Sequence, residues 1–233
     1  MKIEIWSDIM CPFCYIGKRR FDYALAQFDH KDKVEIEWKS YLLSPELITD
    51  PNKNLHKFLA EHKGISLEEA KSMNDYVTNM AANVGLEYDF DKAIPANSFN
   101  AHRLLHFAKE HGRQTETEEA LFKAYFTEGK NIDDSATLTA IAASVGLNTE
   151  ALTEAMGSEA YFQDVVMDVQ EAQNIGVRGV PFFVFDRKYA ISGAQEADAF
   201  IQTLEKAFEE WQRPAAPLNV VEGDSCGVDG ENC

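Results

Sequence analysis

The amino-acid sequence predicts an α/β protein in which strand-forming segments near both ends of the chain enclose a long helical block. Hydrophobic residues alternate with polar ones in short stretches near each end, the pattern of half-buried strands. Between residues 45 and 157 they recur every three or four positions, as in amphipathic helices. At 45% hydrophobic and 26% charged, the 233-residue chain has the composition of a globular protein with a substantial core.

The first unit is predicted to be a strand, a helix and a second strand. Residues 2–8 alternate, with isoleucines on one side. Residues 11–28 change to helical spacing, and Pro12 falls in the first turn, where its missing N–H has no helical partner. Residues 34–43 alternate again. A βαβ unit this short requires parallel strands with a right-handed crossover.

The middle and the end of the chain complete the predicted order of elements. Ser66–Glu69 is a capping box and Gly85 stands where a helix often ends in a left-handed residue. Further helices are predicted over residues 101–108, 121–125, 138–145 and 161–172, then strands over 179–185 and 187–193 with a tight turn, and a last helix ending near 211. The predicted domains are a discontinuous one, 1–45 with 158–211, a helical insertion, 46–157, and an irregular tail, 212–233.

Charge and the start of the sequence limit the classes of function. With 39 acidic and 22 basic residues the net charge is −17, which disfavours nucleic acid or an anionic membrane as a partner. No apolar run approaches the ~20 residues that span a bilayer. Residues 1–6 lack the apolar stretch of a signal peptide, so we expect a cytoplasmic protein. Four cysteines in two close pairs do not make a disulfide-stapled secreted scaffold.

Cys11-Pro-Phe-Cys14 lies where the first strand leads into the first helix. This spacing serves thiol redox chemistry or, as an alternative, half of a zinc site. A helix N-terminus favours a thiolate, so Cys11 is predicted to attack a disulfide and Cys14, one turn on, to resolve the mixed disulfide. Because Pro12 and the early helix disfavour zinc-knuckle geometry, we expect redox chemistry and no metal.

The order of elements, Cys11–Cys14, Gly179–Pro181 and Gly193–Gln195 together resemble the thioredoxin-like fold of the DsbA family of thiol-disulfide oxidoreductases. The resemblance covers nearly the whole chain. Asp8–Tyr15 and Asn97–Arg103 are similar to two motifs of the cytoplasmic FrnE-type branch of that family. The resemblance to the DsbA family implies a thioredoxin-like fold, βαβ followed by αββα, with a large all-helical insertion.

The resemblance also implies roles for individual residues. Pro181 would be a cis proline that lets Val180 hydrogen-bond an extended peptide; a trans proline at the start of an edge strand is the alternative. Phe13 stands where periplasmic oxidases of the family have histidine, so we expect a less oxidising pair. The residues implied to contact substrate are Pro12, Phe13, Val180, Pro181, Asn97, Ser98 and His102.

Other polar residues near these motifs have two interpretations each. Asp8 is a candidate proton carrier for Cys14 or a hydrogen-bonding group of the loop before the helix. The basic run Lys18–Arg20 could meet the carboxylates of glutathione, but a solvated helix face is favoured. His102 and His106 have metal-ligand spacing, yet their place beside an apolar stripe favours half-buried histidines at the edge of the core.

The second cysteine pair lies in the predicted tail. Cys226 and Cys233 are separated by six residues with two glycines, so a disulfide is sterically feasible. The pair is either a second redox centre or two incidental exposed thiols.

The sequence therefore predicts an enzyme of dithiol–disulfide exchange that acts on disulfide- or thiol-containing peptides or small molecules. No bound cofactor is expected, and glutathione is a candidate redox partner. A second hypothesis is a glutathione-dependent transferase or isomerase of the kappa type, a class that shares the helical insertion but typically has serine where Cys11 stands. A third, a holdase or metal-binding module, has no local support in the sequence.

Overall fold

The computed structural model describes residues 1–213, whose regular elements follow the predicted order. The strands are β1 (Lys2–Ser7), β2 (Glu35–Ser40), β3 (Phe182–Phe185) and β4 (Tyr189–Ser192). The helices are α1 (Pro12–Gln27), α2 (Leu55–Lys63), α3 (Leu67–Ala82), α4 (Phe99–Glu110), α5 (Gln114–Phe126), α6 (Ser135–Ser144), α7 (Thr149–Met156), α8 (Phe162–Asn174) and α9 (Ala197–Trp211). A 3-10 turn, Lys31–Lys33, precedes β2. No helix within residues 1–213 is long and apolar enough to cross a membrane.

The four strands form one mixed sheet in the order β2-β1-β3-β4. β1 and β2 are parallel, as predicted, and pair Ser7 with Ser40 at their carboxyl ends. β3 runs antiparallel to both β1 and β4. The predicted tight turn between β3 and β4 is present, with Asp186 and Arg187 in the left-handed region at φ of 50° and 54°.

One face of the sheet is covered by α1 and α9 through an apolar core. The rings of Phe21, Phe183 and Phe200 pack with centroids 4.7–5.7 Å apart, one from α1, one from β3 and one from α9. Aromatic pairs at such distances contribute ~0.5–1.5 kcal/mol beyond their buried area. This core holds the first turn of α1 beside the carboxyl end of β1.

A second core joins the helices that follow β2 to the start of α1. Tyr15 of α1 stacks on Phe122 of α5 with centroids 4.9 Å apart, and Cys14 is part of the same buried cluster. The capping box of α3 is present as predicted, with Ser66 and Glu69 bonded to each other's backbone amides. The expectation of almost unbroken helix is wrong for residues 83–98, an irregular segment tied to α5 by the Tyr125 hydroxyl, which donates to the Ile94 carbonyl at 2.9 Å.

The polar end of β2 is bound to α4 and α8 by a largely buried network that we call the interlock cluster: Lys39, Ser40, His106, Asp168 and the partly exposed Glu171. Asp168 accepts from Lys39 Nζ at 2.8 Å and from the Ser40 amide at 2.9 Å. His106 Nε2 lies 3.1 Å from both Ser40 Oγ and Asp168 Oδ2. Because one ring nitrogen faces both groups, these side chains do not form a serine–histidine–aspartate relay, which needs one nitrogen for each.

Candidate active site

Cys11 is the N-cap residue of α1 and lies against the loop that precedes β3. Its amide donates to the Asp8 carbonyl at 2.9 Å, and its carbonyl accepts from the Cys14 amide at 3.0 Å. Its Sγ is 3.5 Å from the Val180 carbonyl oxygen. Both Cys11 and Cys14 are free thiols. The turn therefore places two thiols together at the end of a helix, with Cys11 on the side of the Val180 loop.

Cys14 lies one turn further into the protein and is fully buried. Burial raises the pKa of its thiol well above its usual range, and the neighbouring Cys11 raises it further. The backbone of Asp8 and the Ser7 hydroxyl oppose this shift in the pKa of Cys14. A thiol held in its protonated form can attack a disulfide only after it passes its proton to another group.

The peptide bond between Val180 and Pro181 is cis, the isomer that the family resemblance implies. Gly17 of α1 packs on this loop, where a Cβ would lie only 2.8 Å from Pro181 Cγ. The Pro181 carbonyl accepts from the Gly193 amide at 2.8 Å, which ties the loop to the end of β4. Within residues 1–213 the Val180 amide has no hydrogen-bond acceptor, so its N–H is available to a bound chain.

Tyr88, which the sequence analysis did not identify, supports the active-site turn from the irregular segment. Its hydroxyl donates to the Pro12 carbonyl at 2.7 Å, and its ring stacks on Phe126 with centroids 4.7 Å apart. Burial raises the pKa of Tyr88, so the hydroxyl remains a donor. Since Tyr88 lies outside any regular element, the periodicity of the sequence carries no signal for this contact.

Asp8 takes the loop role that was one of its two predicted interpretations. Its two carboxylate oxygens accept from the amides of Met10 at 3.2 Å and Leu43 at 2.7 Å. His102 Nε2 is 3.7 Å from Asp8 Oδ1, beyond hydrogen-bonding distance, and neither ring nitrogen of His102 has a partner among residues 1–213.

The residues implied to contact substrate differ in their exposure and in the part of the fold where they lie. Phe13 is 38% exposed beside the thiols. Asn97 donates from its amide to the carbonyls of Pro45 and Leu47, at 3.2 and 2.9 Å, which holds the loop after β2. Ser98 and His102 are buried, at 3% and 1% exposure. Substrate contact by Asn97, Ser98 and His102 stays a prediction.

Two sequence expectations about polar residues need correction. The expected half-buried position of His102 and His106 is wrong, because both lie in the interior between α4 and its neighbours. The solvated face expected for the basic run is also wrong for Lys18, which is buried and pairs with Asp22 at 2.7 Å and Glu119 at 2.9 Å. Each of these side chains has at least one partner from a distant part of the chain: Asp8 lies beside His102, Asp168 beside His106 and Glu119 beside Lys18.

Two other predictions concern metals and the second cysteine pair. Within residues 1–213 no group of three or more histidine, cysteine and acidic side chains is arranged to hold a metal ion. Cys226 and Cys233 lie outside the described residues.

Glu118 is a second residue that the sequence analysis missed. It is fully buried in α5, and Ser7 Oγ donates to its Oε1 at 2.8 Å. Its other oxygen, Oε2, has no partner among the described residues. Burial raises the pKa of Glu118 to about 8. A signal did exist, since position 118 falls on the apolar stripe of Leu121, Phe122 and Tyr125.

Comparison with known proteins places this site in a family. The model of the DSBA-like thioredoxin domain matches residues 2–205. The uncharacterized protein YwbO of Bacillus subtilis is 30% identical over 220 residues, which cover 91% of this chain and 97% of that protein. The solved structure of a probable DsbA oxidoreductase from Streptomyces coelicolor is 38% identical, with a TM-score of 0.85, over 99% of this chain and 97% of that one.

A more distant structure shares the fold. The cytosolic disulfide reductase DsbM from Pseudomonas aeruginosa, solved with GSH, is 15% identical with a TM-score of 0.63, over 90% of this chain and all of that chain (100%). The cysteine pair at the start of α1, the cis proline opposite it and the family match over residues 2–205 agree. The chain therefore belongs to the DSBA-like thioredoxin domain family, a family of thiol-disulfide oxidoreductases.

Proposed function

We propose that this protein catalyses dithiol–disulfide exchange, with Cys11 as the attacking thiol and Cys14 as the resolving thiol. The observation that carries the proposal is the difference between the two thiols at one helix end. Cys11 caps α1, faces the cis Val180–Pro181 loop and is 4% exposed, whereas Cys14 behind it has no exposed surface. The outer thiol can meet a substrate sulfur, and the inner thiol can reach only the outer one.

The proposed reaction conserves atoms and electrons over two exchanges. The Cys11 thiolate attacks one sulfur of a substrate disulfide, which forms a mixed disulfide and releases the other substrate sulfur as a thiolate. Cys14 then loses its proton and attacks the Cys11 sulfur, so the Cys11–Cys14 disulfide forms and the second substrate thiolate leaves. The substrate gains two electrons and two protons, and the reverse sequence oxidises a dithiol.

The substrate we propose is a peptide or small molecule that carries a disulfide or thiol. The free Val180 amide is placed to pair with an extended chain by strand addition. Exposed apolar side chains near the site, such as Phe13 at 38% and Leu43 at 46%, favour a substrate with apolar groups beside its sulfur. Assignment to the FrnE-type branch and action in the cytoplasm belong to this proposal and rest on the motifs at Asp8–Tyr15 and Asn97–Arg103.

Glutathione is the redox partner that we propose for recycling the pair, because DsbM has been solved with GSH and shares this fold. The kappa-type transferase hypothesis is less favoured, because such enzymes do not need the second thiol that Cys14 supplies. A glutathione-coupled assay distinguishes the two functions, since a transferase would retain turnover of its glutathione substrate when the attacking thiol is removed.

The test is an insulin-reduction assay on the wild type, Cys11→Ser and Cys14→Ser. We expect Cys11→Ser to fall to the uncatalysed background. Cys14→Ser should accumulate a mixed disulfide between Cys11 and the substrate, visible as an added mass that a reductant removes. Full activity of Cys11→Ser, or a mixed disulfide on Cys14 in place of Cys11, would overturn the assignment.

A further inference from the structure

We propose that Glu118 accepts and returns the proton of Cys14, with the Ser7 hydroxyl as the relay between them. The inference rests on the proposed function, because it concerns the resolving step of that reaction. Glu118 belongs to α5, Ser7 ends β1 and Cys14 lies in the first turn of α1. Three separate elements thus bring a carboxyl, a hydroxyl and a thiol together in the interior.

The Ser7 hydroxyl links the carboxyl to the surroundings of the thiol. Ser7 Oγ donates to Glu118 Oε1 at 2.8 Å, and the same hydroxyl lowers the pKa of Cys14, so it lies close enough to act on the sulfur. A serine hydroxyl has one donor and two acceptor positions, so it can accept from the thiol while it donates to the carboxylate. All three groups are buried, since Ser7, Cys14 and Glu118 are each at most 1% exposed.

The proton step balances without any outside reactant. The Cys14 S–H proton moves to Ser7 Oγ as the Ser7 proton moves to Glu118 Oε1. Cys14 becomes a thiolate, Ser7 is again a neutral hydroxyl that now donates to the sulfur, and Glu118 becomes a neutral carboxylic acid. The thiolate then attacks the Cys11 sulfur of the mixed disulfide and the substrate thiolate leaves. In the reverse direction Glu118 returns the proton as the Cys11–Cys14 disulfide opens.

Hydrogen bonding distinguishes Glu118 from Asp8, the proton carrier that the sequence suggested. Both oxygens of Asp8 accept backbone amides, and protonation of Asp8 would disrupt at least one of those bonds. Glu118 has one oxygen on the relay and one without a partner among residues 1–213. Its pKa of about 8 supports the role, because proton transfer between groups of similar acidity near neutral pH is efficient.

The charges around Glu118 come from every neighbouring element. Lys18 of α1 favours its ionised form, whereas Asp8 of the β1–α1 loop and Glu119 of α5 disfavour it. Other titratable groups lie nearby: His102 of α4 beside Asp8, and the His106–Asp168 pair beyond Ser40, which pairs with Ser7. A test must therefore remove the Glu118 carboxyl alone and compare that variant with one that removes a neighbouring carboxylate.

The experiment follows reduced enzyme reacting in single turnover with an aromatic disulfide that releases a coloured thiolate. Attack by Cys11 releases the first equivalent and resolution by Cys14 the second, so the two phases report the two steps separately. Rates are measured from about pH 6 to about pH 10 for the wild type, Glu118→Gln, Ser7→Ala and the control Glu119→Gln. Glutamine keeps the shape of Glu118 and removes only its titration.

We expect Glu118→Gln to slow the second phase by at least ~100-fold near neutral pH, the lower range for loss of a general base, and to abolish its pH midpoint. The first phase should keep the wild-type profile, and the Glu119→Gln control should keep a fast second phase whose pH midpoint moves to lower pH, because Glu119 raises the pKa of Glu118. Ser7→Ala should slow the second phase as well, and the double variant should be little slower than either single one. Such non-additivity would show that Ser7 and Glu118 act in the same proton relay.

The opposite results would overturn the inference. An unchanged second-phase pH profile in Glu118→Gln, or in Ser7→Ala if the first variant fails to fold, would remove the relay. Failure of the proposed function is distinguishable, because the wild type would then release one equivalent or none.

Discussion

Two buried polar clusters lie side by side at the carboxyl ends of β1 and β2, and they differ in how completely their hydrogen bonds are made. The interlock cluster at the end of β2 gives Asp168 partners on both oxygens. The site cluster, defined as Ser7, Asp8, Cys14, His102 and Glu118, leaves Glu118 Oε2 and both nitrogens of His102 without partners in the described part of the chain. Since nearly all buried polar groups in proteins are paired, an unpaired one needs an explanation, and for Glu118 the proposed catalytic role supplies it.

The acidity of the two carboxyl groups follows this difference. Burial disfavours the ionised form of both. For Asp168, hydrogen bonds from His106 and Lys39 more than offset burial and lower its pKa, so it stays a carboxylate. For Glu118, burial prevails and raises the pKa to about 8. Hydrogen bonding, rather than burial, therefore separates a structural carboxylate from one that can exchange a proton.

The largest expected loss of folding stability comes from removing Asp168 from the interlock cluster. Asp168→Ala leaves Lys39 buried without its main partner, and loss of one member of a buried ion pair costs ~3–5 kcal/mol. Urea unfolding measures this loss, with Glu171→Ala as the control, because Glu171 is partly exposed and should cost less than ~1 kcal/mol. Equal small losses in both variants would contradict a structural role for the cluster.

Removal of the Glu118 charge should instead change how stability depends on pH. Between its ordinary value of 4.5 and the folded-state pKa of about 8, folded Glu118 holds a proton that the unfolded chain has lost. The wild type therefore loses stability as pH rises through this range, by at most ~1.4 kcal/mol per pH unit from this group, and Glu118→Gln does not. Urea unfolding at several pH values should show the variant gaining on the wild type up to about pH 8. A constant difference would contradict the raised pKa.

A smaller effect is expected at the opposite wall of the site, where α1 meets the cis-proline loop. Gly17→Ala would place a Cβ 2.8 Å from Pro181 Cγ, so the loop must move. Overpacking of this kind costs ~1–3 kcal/mol, part of which the better helix propensity of alanine offsets. The measurement is the rate of the first thiolate release together with the unfolding midpoint. An unaltered rate would show that the position of Pro181 does not limit attack by Cys11.

These comparisons show which features local sequence patterns could predict. The βαβ unit, the capping box at Ser66 and the position of Cys11 at the start of α1 follow from rules that act over a few residues. These three features can therefore be predicted from the spacing of residues in the sequence. The burial of Glu118 could have been predicted from its place on the apolar stripe of α5.

Contacts between distant segments could not be predicted in this way. Ser7 and Glu118 are 111 positions apart and meet only because α5 packs over the end of β1. Lys18 illustrates the same limit, since its sequence neighbours indicate a basic surface and only the folded chain brings Glu119 against it. The irregular segment that carries Tyr88 has no periodic pattern of hydrophobic residues. The contact between Tyr88 and Pro12 could therefore be found only in the tertiary structure.

A substitution at Phe13 should change the redox potential and leave the fold unaltered, and it separates the outer thiol from the site cluster behind it. Phe13→His would place a donor beside Cys11, and a hydrogen bond to a charged group contributes ~1.5–3 kcal/mol. Such a bond stabilises the reduced pair and should make its potential more oxidising by roughly 30–60 mV. Equilibration in glutathione buffers measures the shift, with Phe13→Leu as the control that adds no donor. Because histidine at this position acts on Cys11, the Cys14 phase of thiolate release should keep its pH midpoint, whereas Glu118→Gln should leave the first phase unchanged. If Phe13→His altered the second phase instead, the two thiols would share one environment and the contrast between the outer and inner groups would fail.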